Sequence, residues 1–500
     1  MRWLWWLQKQ QTKPNETAEQ TIPALINKMT SSEDFVHAYH PNANHPYWLS
    51  YYQPIIDEVT LYHHILPVVQ SEEYQSLLEL KDKIPIDKIT LPATVQEMEQ
   101  KLLDGHVMIQ EDPTLPGLLI PAVSTTVRDI SIPEVEFSVI GPKESFVETI
   151  DINLRMVRKR LPDANLKVKE FRIGSLSKTK VAVMYMDGIA DRENVQTMTQ
   201  RIQDIDYDHI NDSSYINQMI EDNSNSPFPQ LIDTERPDRV AAALAEGKVA
   251  VLVDGSPTAI IGPTTFIEFF SSFDDYFLSW HIASVFRMIR LFAVAFSILA
   301  TPLYVAVITY HAALIPKDLL STLILSREAI PFPPIIEAVF LELAIELLRE
   351  AGARLPTKVG QTIGIVGGIV IGTAAVEAGL TSTVLLIIVA LAALASFTTP
   401  IYRIGNTIRL IRFPFLILAQ LWGLIGVALG FAFLLVHLLG LTSLGRPYLA
   451  PLYPPRLQDF KDSIIRLPFN RQSQRPQHLR PETVYRFDQK QAMQKKDIDD

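Results

Sequence analysis

The 500-residue chain contains no cysteine, which excludes disulfides, thiolate metal sites, iron-sulfur ligation and a cysteine nucleophile together. No GxxxxGK[ST], HExxH, GxSxG or EF-hand loop occurs either, so the sequence offers no motif for nucleotide, zinc-protease, serine-hydrolase or calcium chemistry. The nearest approach to a phosphate loop, Gly174 to Thr179 (GSLSKT), lacks a second glycine beside its lysine and reads as a strand connection. Charge is scarce in the C-terminal half. Twenty uncharged residues separate Arg290 from His311, 18 separate Lys358 from Glu377, 25 separate Glu377 from Arg403, and 33 separate Arg412 from Arg446. Each run is long enough to be a transmembrane candidate. The opening MRWLWWLQKQ is followed at once by polar residues without a small-residue cleavage site, so no signal peptide is expected.

Lys and Arg set against Asp and Glu divide the net charge of −10 into three regions: 24 against 41 in residues 1–283, 10 against 7 in 284–445, and 11 against 7 in 446–500. An acidic N-terminal part is a poor partner for nucleic acid. Residues 1–130, with helical patterns at Ser71–Leu80 and Thr94–Leu103, are expected to form a soluble helical subdomain. Residues 131–283 alternate β-rich runs (LKVKEFRI, KVAVMYM, KVAVLVDG) with helical ones (SFVETIDINLRMVRKRL, ERPDRVAAALAEG) and are expected to form a soluble α/β subdomain. Within it, Asp254-Gly255-Ser256-Pro257 turns VAVLV into TAIIG as a hairpin. Residues 284–445 are expected to be an α-helical transmembrane domain of four to five segments, making this a membrane protein. Prolines and polar residues in 446–500 predict a basic, largely disordered tail.

Arg287 and Arg290 precede the first span, Leu291 to Tyr310, and place the N-terminal region in the cytoplasm by the positive-inside rule. The segment from Pro331 to Pro356 is amphipathic: Glu342, Glu346 and Glu350 share one stripe, a pore-mouth candidate, and Glu337 falls off it. In Gln361 to Gly379, Gly364, Gly368 and Gly372 form a ladder that admits close helix packing. Thr362, Val366, Ile369, Thr373 and Glu377 lie opposite, a stripe that could line a pore or be buried inside one subunit's bundle. No cofactor and no metal site are implied; His37, His40, His45, His63 and His64 crowd one stretch without a recognised ligand spacing.

Strings running in order through the chain resemble the A-subunit family of nutrient germinant receptors, the GerA-type spore germination proteins. They include GPKESFVETIDINLRMVRKRL (from Gly141), PFPQLIDTERPDRVAAALAEGKVAVLVDGSP (from Pro227), SREAIPFPP (from Ser326), GQTIGIVGGIVIGTAAVEAGL (from Gly360), IRLIRFP (from Ile408) and PYLAP (from Pro447). Ala312, where a proline is expected, and Arg446, where an apolar residue is expected before PYLAP, depart from the pattern. The resemblance implies a multi-pass, non-enzymatic subunit in the inner spore membrane. It would act with a B-type transporter-like subunit and a C-type lipoprotein as a homo-oligomer, pentameric by family expectation. The implied activity is a cation-conducting channel gated when nutrient binds the partner, with Val366 or Ile369 as an apolar constriction. Proton-coupled transport through Glu377 is the alternative; no inverted repeats accompany it.

Overall fold

A computed structural model describes residues 21–41, 45–71, 74, 76–124, 133, 136, 140–354, 368, 372–456 and 459–487. Its first unit is a four-stranded antiparallel sheet of β1 (Phe35–His40), β2 (Tyr47–Tyr52), β3 (His106–Gln110) and β4 (Leu118–Pro121), paired in sequence order. Around it lie α1 (Ile22–Thr30), α2 (Leu66–Ser71), α3 (Leu77–Lys83) and α4 (Val95–Leu103), the last capped by Thr94, whose side chain accepts from the Glu97 amide. Leu25, Met29, Met98 and Leu102 cover one sheet face and Leu61, Ile65, Val69 and Leu80 the other. The purely helical subdomain expected here is therefore corrected to a sheet with helices. All of HVMIQ is buried, and a strand covered on both faces loses the apolar-polar alternation that marks strands in sequence.

The second unit matches the α/β expectation. Strands β5 (Leu166–Ile173), β6 (Thr179–Met186), β7 (Ile232–Thr234), β8 (Val249–Val253) and β9 (Ala259–Gly262) form an antiparallel sheet in the order β5-β6-β8-β9-β7. GSLSKT is the β5–β6 turn, with Gly174 and Lys178 at φ 91° and 47°, and β8 pairs with β9 across the expected hairpin. Ala182, Met184, Ala250 and Leu252 point to α5 (Ile150–Arg160) and α8 (Pro237–Glu246). Val181, Val183, Val249 and Val251 point to α6 (Arg192–Gln203) and α7 (Ser213–Ile220), so a strict period of two divides one apolar sheet between two helical layers. The units join at Arg158 of α5, 1% exposed. Its guanidinium donates to Asp34 (Nη2 to Oδ1 2.6 Å), to Ser32 Oγ at 3.1 Å and to the Leu166 carbonyl at 3.3 Å, and it lies 4.2 Å from the Tyr52 ring centroid.

The helical region contains α9 (Trp280–Tyr310), α10 (Lys317–Arg327), α11 (Pro334–Ala353), α12 (Thr383–Ser396) and α13 (Tyr402–Gly440), with a short helical stretch at 372–377. Among the described residues two helices are long and apolar enough to cross a membrane, α9 and α13, with mean hydropathies of 2.3 and 2.2 over their most apolar windows. α12 is apolar but only 14 residues long, and most of the run between Lys358 and Glu377 lies outside the described residues.

α13 is a hairpin. Gly423 sits at φ 61°, ψ −136°, outside helical space, and the chain reverses there. A Cβ on Gly430 would touch Phe415 and Leu418, whereas a straight helix would hold residues 415 and 430 about 22 Å apart. The turn meets the end of α9, where Tyr310 Oη donates to the Gln420 carbonyl at 2.6 Å. Both legs return to the α/β unit: Ile404 and Ile408 from one, Leu438 and Leu441 from the other, share its core cluster.

The tail departs from the expectation of disorder across residues 446–456 and 459–487. Strands β10 (Thr442–Ser443) and β11 (Arg446–Pro447) open it, and Ser443 Oγ donates to the Gln230 carbonyl at 2.6 Å. Arg446, the departure from the family pattern, is 5% exposed and donates to Asn194, Asp191 and Glu193 at 2.8, 2.8 and 2.9 Å. Arg466, 2% exposed, donates to the carbonyls of Leu278 and Tyr276, while Arg486 pairs with Glu246 at 2.9 Å. A proline-rich chain with only short helical turns, at Phe460–Ser463, Phe469–Arg471 and Gln477–Leu479, is thus fixed by arginines that find carboxylates and carbonyls on the acidic unit. Residues 488–500 lie outside the described part.

Candidate functional site

α9 enters the helical region through charge. Arg287, 2% exposed, pairs with Asp275 and with Asp462 of the tail, both at 3.1 Å, and Arg290 also pairs with Asp275. The two arginines that precede the first apolar run therefore tie the root of α9 to the α/β unit and to the tail at once.

Deeper in the bundle, four helices converge on one ion pair. Glu342 of α11, 5% exposed, accepts from Thr301 Oγ1 of α9 at 3.0 Å on one carboxylate oxygen and from Arg412 Nη1 of α13 on the other. Arg412, 3% exposed, also donates to Ser297 Oγ of α9 at 2.7 Å and to the Ala392 carbonyl of α12 at 3.3 Å. A second carboxylate, Glu337 at 1% exposure, pairs with Arg327 at 2.8 Å and accepts the Ser382 amide at 3.1 Å. An ion in an apolar bundle is stable only when paired and hydrogen-bonded, so each pair dictates which helices must meet and at what height.

This geometry redraws the glutamate stripe. Glu342 is turned into the bundle against Arg412 rather than presented with its neighbours; Glu346 pairs with Arg349 and lies 3.8 Å from Arg409; exposed Glu350 pairs with exposed Arg354 at 2.5 Å. The helical phase of the stripe is unchanged, but packing against α9 and α13 buries its first member and leaves its last outside. Of the pore-lining candidates, Thr362, Val366 and Ile369 lie outside the described residues, as does Gly364. Thr373 and Glu377 are exposed on the 372–377 stretch, and Gly372 is buried, its Cβ direction 3.6 Å from Leu386 of α12. Gly368 faces open space. No group of three or more metal-ligating side chains occurs among the described residues.

Sequence reading missed Ser297, Thr301, Arg327 and Arg412 as members of a site. The available signal was positional: Ser297 and Thr301 are polar residues four apart within an apolar helix, which places both on one face.

Taken together, these features define a class: a predominantly acidic two-unit α/β body, continuous through its core with an apolar helical bundle whose interior is organised by paired charges. The particular family follows from comparison. Over residues 23–478 the chain matches the family of Bacillus/Clostridium GerA spore germination proteins, and it belongs to that family. It is 50% identical over 477 residues to spore germination protein GerQA of Bacillus cereus, covering 95% of this chain and 96% of that protein. It is also 51% identical over 476 residues to GerIA of the same organism, covering 95% of this chain and 71% of that protein. Spore germination protein KA of Bacillus subtilis (strain 168) is 37% identical over 441 residues, 87% of this chain and 81% of that one. Among solved structures, the N-terminal domain of the A subunit of the Bacillus megaterium spore germinant receptor GerK3 aligns at 27% identity and a TM-score of 0.37, covering 48% of this chain and 92% of that one.

Proposed function

We propose that this protein is the A subunit of a nutrient germinant receptor, a multi-pass protein of the inner spore membrane whose helical region assembles with further copies into a cation-conducting channel. The observation that carries the reading is the bundle: helices apolar enough for lipid, with every buried charge paired, beside a 372–377 stretch that buries Gly372 and exposes Thr373 and Glu377. An exposed carboxylate such as Glu377 within an apolar helical region needs water or a partner, and a ring of copies supplies both. Thr362, Val366, Ile369, Thr373 and Glu377 would line the axis. Glu346 and Glu350, on the outer part of the stripe, would stand at its mouth. The hairpin of α13 and the docked tail argue for an even number of crossings, with the N-terminal region and tail both cytoplasmic. Nutrient recognition would fall to a B-type partner and anchoring to a C-type lipoprotein. Reconstitution of the purified chain with its partners in planar bilayers tests this: the reading predicts an oligomer with cation-selective current, and a monomer without conductance would remove it.

A further inference from the structure

A cavity of about 530 Å³ lies between the α/β unit and the returning tail, within the size range of small-molecule sites. One wall comes from α8 and the segment that follows β9, the other from Pro451 and from residues within 459–486. Its apolar lining includes Ile267, Phe273 and Phe469. Most charges around it are neutralised within the chain: Lys248 by Glu268, Arg239 by Glu136, Arg486 by Glu246, and Asp462 by Arg287 and the Tyr276 hydroxyl.

Two groups stand apart. Arg475 donates from Nε to the Ala245 carbonyl at 2.9 Å and from Nη1 to the carbonyls of Thr483 and Tyr485, both at 3.0 Å, and meets no carboxylate at ion-pair distance among the described residues. It is a cation held by main chain alone, with Nη2 left over. His478, 7% exposed, lines the same space, and neither of its ring nitrogens makes a hydrogen bond among the described residues. The nearest carboxylates, Glu268 and Asp459, stand at 3.5 and 3.6 Å. At those distances the two carboxylates pair with the imidazolium without closing a hydrogen bond to either ring nitrogen.

We propose that this cavity binds a small organic acid, its carboxylate on Arg475, its apolar body against Phe273, Ile267 and Phe469, and a second polar group at His478. With two of the three guanidinium nitrogens committed to carbonyls, Arg475 offers one corner. That suits a carboxylate with an apolar body better than a phosphate, which is recognised by several donors at once. Because the two walls come from chain segments roughly 200 residues apart, the bound acid fastens the tail to the α/β unit. Asp462, in the same lining, carries the effect to Arg287 at the root of α9.

Benzoate is the probe, with benzamide as the same body without charge and inorganic phosphate as charge without body, all at matched ionic strength. Hydrogen exchange is followed in peptides spanning 459–486 of the purified full chain in detergent. At ten times its dissociation constant benzoate should slow exchange limited by tail opening about tenfold, because only the docked state binds it. Benzamide and phosphate should leave the rate unchanged. Arg475→Gln and the cavity-filling Ala243→Phe should each abolish the benzoate response. No effect of benzoate on the wild type, an equal effect of benzamide or phosphate, or a response that survives both substitutions would overturn the proposal. None of these outcomes bears on ion conduction, so the site stands or falls separately from the channel.

Discussion

The α/β body and the helical bundle bury arginines for different ends. In the body, two apolar clusters on opposite faces of the β5–β9 sheet already specify the fold, and Arg158 with Asp34 joins one finished unit to another. In the bundle, α9, α12 and α13 are apolar along most of their length, so burial alone fixes neither rotation nor height. There the pair Arg412–Glu342, with Ser297, Thr301 and the Ala392 carbonyl, decides how four helices sit together. Where hydrophobicity is uniform, a few polar residues carry the specification.

The sharpest way to break this contrast is to remove one partner in each region. Glu342→Ala strands Arg412 among apolar helices and should cost about 3–5 kcal/mol, read as loss of the folded chain in thermal unfolding in detergent. The double substitution Glu342→Leu with Arg412→Met should recover most of it, because well-packed apolar residues replace a buried pair at little cost. Asp34→Ala should cost less, about 2–3 kcal/mol, since Arg158 keeps Ser32, the Leu166 carbonyl and the Tyr52 ring. If Asp34→Ala proves the more damaging, the body depends on its buried charge as heavily as the bundle does.

A smaller effect sharpens the comparison at the tail. Burial pushes the His478 imidazole down, but Asp459 and Glu268 outweigh it and hold its pKa above the usual 6.5. Its contribution to docking is therefore complete below about pH 6.5 and is lost as pH rises through the folded value. Burial pushes the Glu268 carboxyl up, yet Lys248 and His478 bring it down to about 2, so its contribution is present above 4.5 and fades only as pH falls toward 2. The midpoint of thermal unfolding should fall as pH rises from 6.5 to 9, and His478→Gln should flatten that limb. The least consequential change is Glu350→Gln: the pair with Arg354 is exposed on both sides, and stability should shift by no more than about 0.5 kcal/mol.

Local pattern made the α/β unit legible. The β8–β9 hairpin follows from a turn sequence between two apolar runs, and α8 from an arginine-proline start and a glycine stop, Gly247 at φ 101°. The first sheet escaped because its strands are short and two of them, β3 and β4, are covered on both faces, which erases alternation. The reversal at Gly423 escaped because nothing in the flanking apolar run marks one glycine as a turn. The tail escaped for the opposite reason: prolines and arginines read as disorder when no partner surface is in view, whereas Arg446, Arg466 and Arg475 each take partners far away in sequence. Long-range polar contacts of this kind leave no periodic trace.

In the proposed topology the chain leaves the α/β body through α9 and comes back to it through the second leg of α13, so that the body and the tail share one aqueous face. The absence of native cysteine allows a direct measurement in sealed vesicles of one orientation. Tyr207→Cys marks the body and Tyr485→Cys the tail, at positions 46% and 52% exposed. The account predicts that a membrane-impermeant thiol reagent reaches both from the same side and neither from the other; labelling of the two from opposite sides would contradict it.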